Sequence, residues 1–135
     1  MSKLILIPTP IGNLSDITER AIESIKTVDL LLCEDTRRSL KLLNHLKIKK
    51  QLQSYHKFNE HSIVEKIINK IQSGIKVGLI SDAGTPSISD PGYLIVKLCI
   101  NNDVEVECLP GPTALIPALV ISCLLYTSDA ADETC

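Results

Sequence analysis

Short aliphatic runs, each closed by turn-forming residues and followed by a helical pattern, recur five times along the chain. This alternation limits the possible folds more than any other feature. Lys3–Ile7 (KLILI) ends at Pro8 and Pro10, and Val28–Cys33 (VDLLLC), Gln51–Tyr55, Lys76–Ile80 (KVGLI) and Val104–Leu109 follow. Runs of this length between Gly, Pro and polar turn residues read as buried strands. Between them, Asp16 is expected to cap a helix carrying Ile17, Ala21, Ile22 and Ile25, with Glu19 at capping-box spacing. Asp35 or Thr36 starts a second helix with Leu40, Leu43 and Leu46. Asn59 caps a third, with Ile63, Ile67 and Ile71 on one face and Gly74 as its stop. A fourth runs from about Tyr93 to Asn101, and a fifth begins near Thr113. The expected fold class is α/β, a five-stranded, mostly parallel sheet with helices on both faces. In such sheets ligands bind outside the carboxyl ends of the strands.

Composition agrees with one globular domain. Of 135 residues, 44% are hydrophobic and 22% charged, which excludes a disordered or fibrous chain. Aromatics are only 3% (Tyr55, Phe58, Tyr93, Tyr126), so the core must be aliphatic. So few rings argue against nucleic-acid binding through base stacking on aromatics. The first seven residues are too short an apolar stretch for a signal peptide, and Ala114–Tyr126 is interrupted by Pro117. The five cysteines show no C-x-x-C spacing, and three lie inside apolar runs. The expectation is a reduced cytoplasmic protein without a membrane segment and without a metal site.

The net charge of −2 hides an asymmetry. Between Thr36 and Asn59 stand Arg37, Arg38, Lys41, Lys47, Lys49, Lys50 and Lys57, half of the 14 basic residues, and no acid. Such a segment suits a polyanion such as RNA, with a solvated helix face as the plain alternative. At the other end, Cys123–Cys135 (CLLYTSDAADETC) loses the aliphatic pattern. Residues 1–122 are therefore expected to form the domain, with 123–135 a tail outside it.

Three segments follow strands directly and must share the carboxyl edge: Thr9–Asn13 (TPIGN), Ser81–Gly92 (SDAGTPSISDPG) and Pro110–Thr113 (PGPT). Small Gly- and Pro-rich turns expose backbone groups to a ligand, although strand-to-helix loops need such residues in any case. The twelve-residue middle loop exceeds the usual two to six of such a connection, and long ordered loops at a ligand edge tend to be functional. Neither a G-x-G-x-x-G nor a P-loop pattern occurs.

Leu4–Asn13 (LILIPTPIGN) with Asp16 and Ile17, Glu34–Arg37 (EDTR), Ser81–Gly92 and Pro110–Thr113 together resemble the ribosomal RNA small subunit methyltransferase I family. That family is one of the tetrapyrrole-methylase-like (class III) methyltransferases. The resemblance covers roughly Met1–Ser122, and SDAGTPSISDPG is its most specific element. It implies methyl transfer from S-adenosylmethionine to the 2′-hydroxyl of a cytidine in small-subunit (16S) ribosomal RNA. It also implies two α/β domains around the cofactor, of which this chain resembles the N-terminal one, the C-terminal domain being absent. The implied partners are small-subunit rRNA or the ribosomal subunit, and a homodimer stays open.

The resemblance also assigns residues. Asp82, Gly84, Thr85, Pro86, Thr113, Ala114, Pro10 and Ile11 would bind the cofactor; Asp82 could equally cap its own turn. Glu34 or Asp35 would act as general base, against the alternative that Asp35 caps a helix and Glu34 pairs with Arg37 or Arg38. Arg37, Arg38, Lys41 and His56 would contact RNA. Two other readings remain. A small-molecule (tetrapyrrole-type) methyltransferase would usually carry a G-x-G-D-P loop where this chain has PTPIGN, and an inactive fragment would transfer nothing.

Overall fold

The computed structural model describes residues 2–88 and 91–124. Strands β1 (Lys3–Leu6), β2 (Leu30–Cys33), β3 (Leu52–Ser54), β4 (Val77–Leu79) and β5 (Glu105–Cys108) form one sheet in the order β3-β2-β4-β1-β5. Every neighbouring pair is parallel, so the sheet is wholly rather than mostly so. Helices α1 (Glu19–Thr27), α2 (Thr36–Leu46), α3 (Glu60–Gln72), α4 (Tyr93–Asn101) and α5 (Leu115–Ser122) alternate with the strands.

The aliphatic runs become central strands because alternate side chains serve two separate cores. In β2, Leu30 and Leu32 pack with Val64, Ile67 and Ile71 of α3 and Ile95 of α4. Leu31 and Cys33 point the other way, among Ala21 and Ile25 of α1 and Leu43 of α2. A strand covered on both faces has no solvent side, which is why its sequence shows no polar alternation.

The same two cores explain the topology. The chain moves from β1 to β3 with α1 and α2 on one face, then returns to β4 and β5 with α3 and α4 on the other. Opposite travel on opposite faces keeps one crossover hand throughout. Strands β1 and β4 are neighbours, yet their helices leave to opposite faces, as do those of β2 and β4. Their loops therefore part at the carboxyl edge and leave a crevice at the switch point of the sheet.

Helix starts differ in detail from the sequence pattern. The α1 cap is Thr18, not Asp16: Thr18 is extended (φ −78°, ψ 154°) and its Oγ1 accepts from Ala21 N–H at 3.0 Å. Asp16 is instead held in a turn, its N–H donating to Asn13 O at 2.9 Å. Asp35 caps α2, its carboxylate accepting from Arg37 N–H at 2.9 Å. Leu40 is exposed and Ser39, Leu42 and Leu43 are buried, so the inward face of α2 is turned relative to the expected leucine stripe. Asn59 precedes α3 but makes no side-chain cap bond, because its amide is used backwards, on His56 and Ser54.

Helix α5 has no buried residue, and Leu115, Ile116, Val120 and Ile121 are all more than half exposed. Residues 125–135 of the expected tail lie outside the described residues. Cys33, Cys99 and Cys108 are free thiols. Among the described residues no helix is long and apolar enough to cross a membrane.

Candidate functional site at the carboxyl edge

The three Gly- and Pro-rich turns are bonded to one another. Thr9 and Gly84 exchange two backbone hydrogen bonds, N–H of Thr9 to O of Gly84 at 3.0 Å and the reverse at 2.9 Å. Thr85 Oγ1 donates to Pro112 O at 2.9 Å, tying the loop after β4 to the turn after β5. Gly111 closes the third side: a Cβ there would lie 2.6 Å from Pro8 Cβ, so only glycine lets these two turns touch. Gly84 adopts φ +81°, and a side chain on it would meet Ile11 Cγ2 at 3.1 Å.

This knot borders several neighbouring hollows, three of which hold the candidate cofactor residues between them. Ile11, Gly84, Thr85, Thr113 and Ala114 line an open cleft of about 340 Å³, with Ile88 on its rim. Asp82 and Pro86 do not line it; they stand with Glu34 and Ser87 in an adjoining hollow of about 240 Å³, which Thr85 shares. Pro10 lies in a third, of about 250 Å³, with Arg38, Lys41 and again Asp82. The eight candidate cofactor residues thus gather at one edge but not in one cavity, and Asp82 is the wall between two hollows. Arg37 is exposed and lines none of the three.

Asp82 already has a structural bond. Its Oδ1 accepts from the backbone N–H of Asp35 at 3.1 Å, which clamps the β4 loop to the start of α2. Glu34 lies beside this clamp. Partial burial pushes its carboxyl above the usual glutamate range and the Asp82 charge pushes it further, while the Asp82 backbone amide, His56 and Arg38 pull it back. Glu34 shares its hollow with Asp82. Among the described residues Glu34 forms no ion pair. The Asp35 carboxylate is committed to the α2 cap, which leaves Glu34 the freer acid.

Two elements escape the sequence reading. Thr9 and Thr85 each precede a proline and each donate a side-chain hydrogen bond to a carbonyl of another loop, Thr9 to Ser81 O and Thr85 to Pro112 O. The repeated Thr-Pro pair was the available signal. Ser87 carries the second element: at φ +69° its Oγ is buried without a hydrogen-bond partner among the described residues, in the hollow that Glu34 lines. No local pattern announces it.

A doubly wound parallel domain with a knotted loop site at its switch point defines the class, and sequence comparison defines the family. The chain belongs to the tetrapyrrole (corrin/porphyrin) methylases, whose family pattern matches residues 3–132. It is 51% identical over 121 residues to "Ribosomal RNA small subunit methyltransferase I" of Mesomycoplasma conjunctivae, covering 89% of this chain and 51% of that protein. It is 55% identical over 119 residues to the protein of the same name from a Hydrogenobaculum species, covering 87% and 52%. The chain spans about half the length of the curated relatives it matches. Among solved structures it resembles the cobalamin biosynthetic enzyme cobalt precorrin-4 methyltransferase, with a TM-score of 0.70, 20% identity, and 95% of this chain and 54% of that one covered. That likeness shows the shared fold.

Proposed function

We propose that this chain is the S-adenosylmethionine-binding half of a methyltransferase acting on the 2′-hydroxyl of a cytidine in small-subunit ribosomal RNA, in the cytoplasm. The observation that carries this reading is the reciprocal Thr9–Gly84 backbone pair, which fixes two loops that the topology would otherwise send apart. The missing side chain of Gly84 keeps the cleft open, and Ile11, Ile88 and Ala114 give it apolar walls suited to an adenosine. When bound, S-adenosylmethionine supplies an electrophilic methyl group on a sulfonium sulfur.

The chain's own residues position and deprotonate. The free Asp82 oxygen is assigned to the donor's amino group, and backbone groups around Pro86 and Thr113 to its methionine end. Glu34 is assigned as the base that takes the ribose hydroxyl proton, since the Asp35 carboxylate holds the α2 cap. Arg38 and Lys41, together in one hollow, and Arg37 and His56 outside it are assigned to RNA phosphates. Residues 1–122 act as the N-terminal domain, and the apolar face of α5 is covered by a C-terminal domain or a second copy.

The test is equilibrium binding of methyl-labelled S-adenosylmethionine to the full-length protein, followed by transfer to small-subunit rRNA or to a tetrapyrrole. Saturable binding and label on a ribose 2′-oxygen support the reading. Label on the tetrapyrrole alone, or no donor binding by folded protein, overturns it.

A further inference from the structure

The turn joining β3 to α3 carries the chain's one phenylalanine, and it faces water. Phe58 is 85% exposed in a protein whose other ring side chains are few and whose core takes Tyr55 completely. It is not on a loose loop. His56 N–H donates to Asn59 Oδ1 at 2.8 Å, Asn59 Nδ2 donates to Ser54 O at 3.0 Å, and Phe58 N–H donates to His56 Nδ1 at 3.2 Å. Tyr55 N–H, bonded to Cys33 O at 2.8 Å, ties the start of the turn to β2. An apolar ring held out into solvent by a turn with this many hydrogen bonds is a presented group.

Its neighbours define what it presents to. Lys57 Nζ stands 5.0 Å from the ring centroid, covering one face. The His56 ring meets it edge-on at 5.9 Å and 66°. At 85% exposure most of the ring stays in solvent with a cation beside it. Of the basic residues between Thr36 and Asn59, Arg37, Arg38 and Lys41 belong to the half of α2 that starts from this carboxyl edge, whereas Lys47, Lys49 and Lys50 follow its far end. A ring with an adjacent cation matches a nucleotide, whose base stacks and whose phosphate pairs with the ammonium. The positive charges of Lys57, Arg37, Arg38 and Lys41 on this side of the fold favour a polyanion over a cationic partner. The turn lies on the carboxyl edge next to β2, and His56 is close enough to Glu34 to stabilise its charge.

We propose that Phe58, flanked by Lys57 and His56, is a stacking platform for an unpaired base neighbouring the nucleotide that is methylated. This rests on the RNA reading above and adds a positioning residue to it. The low aromatic content excludes a multi-ring stacking surface, but one ring suffices to fix one base.

The test uses the full-length protein and a single-stranded RNA of the small-subunit sequence carrying 2-aminopurine, whose fluorescence falls on stacking. Phe58→Ala should weaken binding about tenfold and abolish the quench, Phe58→Tyr should restore both, and the salt dependence should stay as in the parent because no charge is removed. The double variant Arg38→Glu with Lys41→Glu should do the reverse, flattening the salt dependence while the remaining bound fraction is still quenched. Unchanged affinity and quench in Phe58→Ala would overturn the platform and leave the RNA reading standing. No RNA binding by the folded parent protein would sink both. A Phe58→Ala variant that changes the oligomeric state without changing RNA affinity would assign the ring to a protein interface and overturn the proposal.

Discussion

Asp82 Oδ1 accepts a hydrogen bond from the backbone N–H of Asp35 at 3.1 Å, across 47 residues of chain. The bond joins the loop after β4 to the turn after β2, so the residue assigned to the methyl donor is also a strut. Asn keeps the acceptor and removes the charge, whereas Ala removes both. Asp82→Ala should therefore lose about 1 kcal/mol of stability as well as donor affinity. Asp82→Asn should lose donor affinity with little change in denaturation midpoint. Unchanged S-adenosylmethionine affinity in Asp82→Asn would remove Asp82 from the donor site.

Glu34 gives a pH prediction. Its carboxyl is raised above 4.5, first by burial and then by the Asp82 charge. A raised acid binds its proton more tightly in the fold than in the unfolded chain, so its contribution favours the fold at low pH and is lost as pH rises through the folded value. Glu34→Gln should match the parent in Tm at about pH 3.5 and exceed it at about pH 7. Asp82→Asn should bring the Glu34 carboxyl down, followed by its NMR titration. A Glu34 titration that does not respond would dissociate the two acids.

Gly84 is held at φ +81° with Ile11 Cγ2 3.1 Å from where a Cβ would stand. Gly84→Ala should cost about 1–2 kcal/mol from the left-handed backbone alone, measured by urea denaturation. It should also narrow the cleft and weaken donor binding more than stability accounts for. Equal losses of stability and binding would make this glycine purely architectural.

The start of α1 separates two caps. Thr18→Ala should cost about 1 kcal/mol, because the bond from Ala21 N–H is lost. Asp16→Ala should cost little, since Asp16 takes part in its turn through its backbone N–H. Denaturation of the two variants side by side decides it, and the opposite ranking would return the cap to Asp16.

The elements were legible because their causes are local. Aliphatic runs, the Asp35 cap and the Tyr93–Asn101 helix appear in the structure where the pattern puts them, apart from a residue or two at the ends. Misreadings came where two local solutions compete. Asp16 and Thr18 are both good caps, and the Asn13–Asp16 turn used the first. Leu40 fits a helical stripe, but the inward face of α2 carries Ser39, Leu42 and Leu43 instead.

By itself the sequence determined the five strand and helix segments, the basic stretch on and after α2, and the three turns that had to share one edge, since each depends on residues within a few positions of one another. Only the tertiary structure decided that Thr9 would pair with Gly84, that Asp82 would be bonded to Asp35 rather than line the cleft, and that Phe58 would stand in water. Those outcomes depend on which strands lie side by side, and strand order is set by burying both sheet faces with one crossover hand, a requirement of the whole chain that no short window contains.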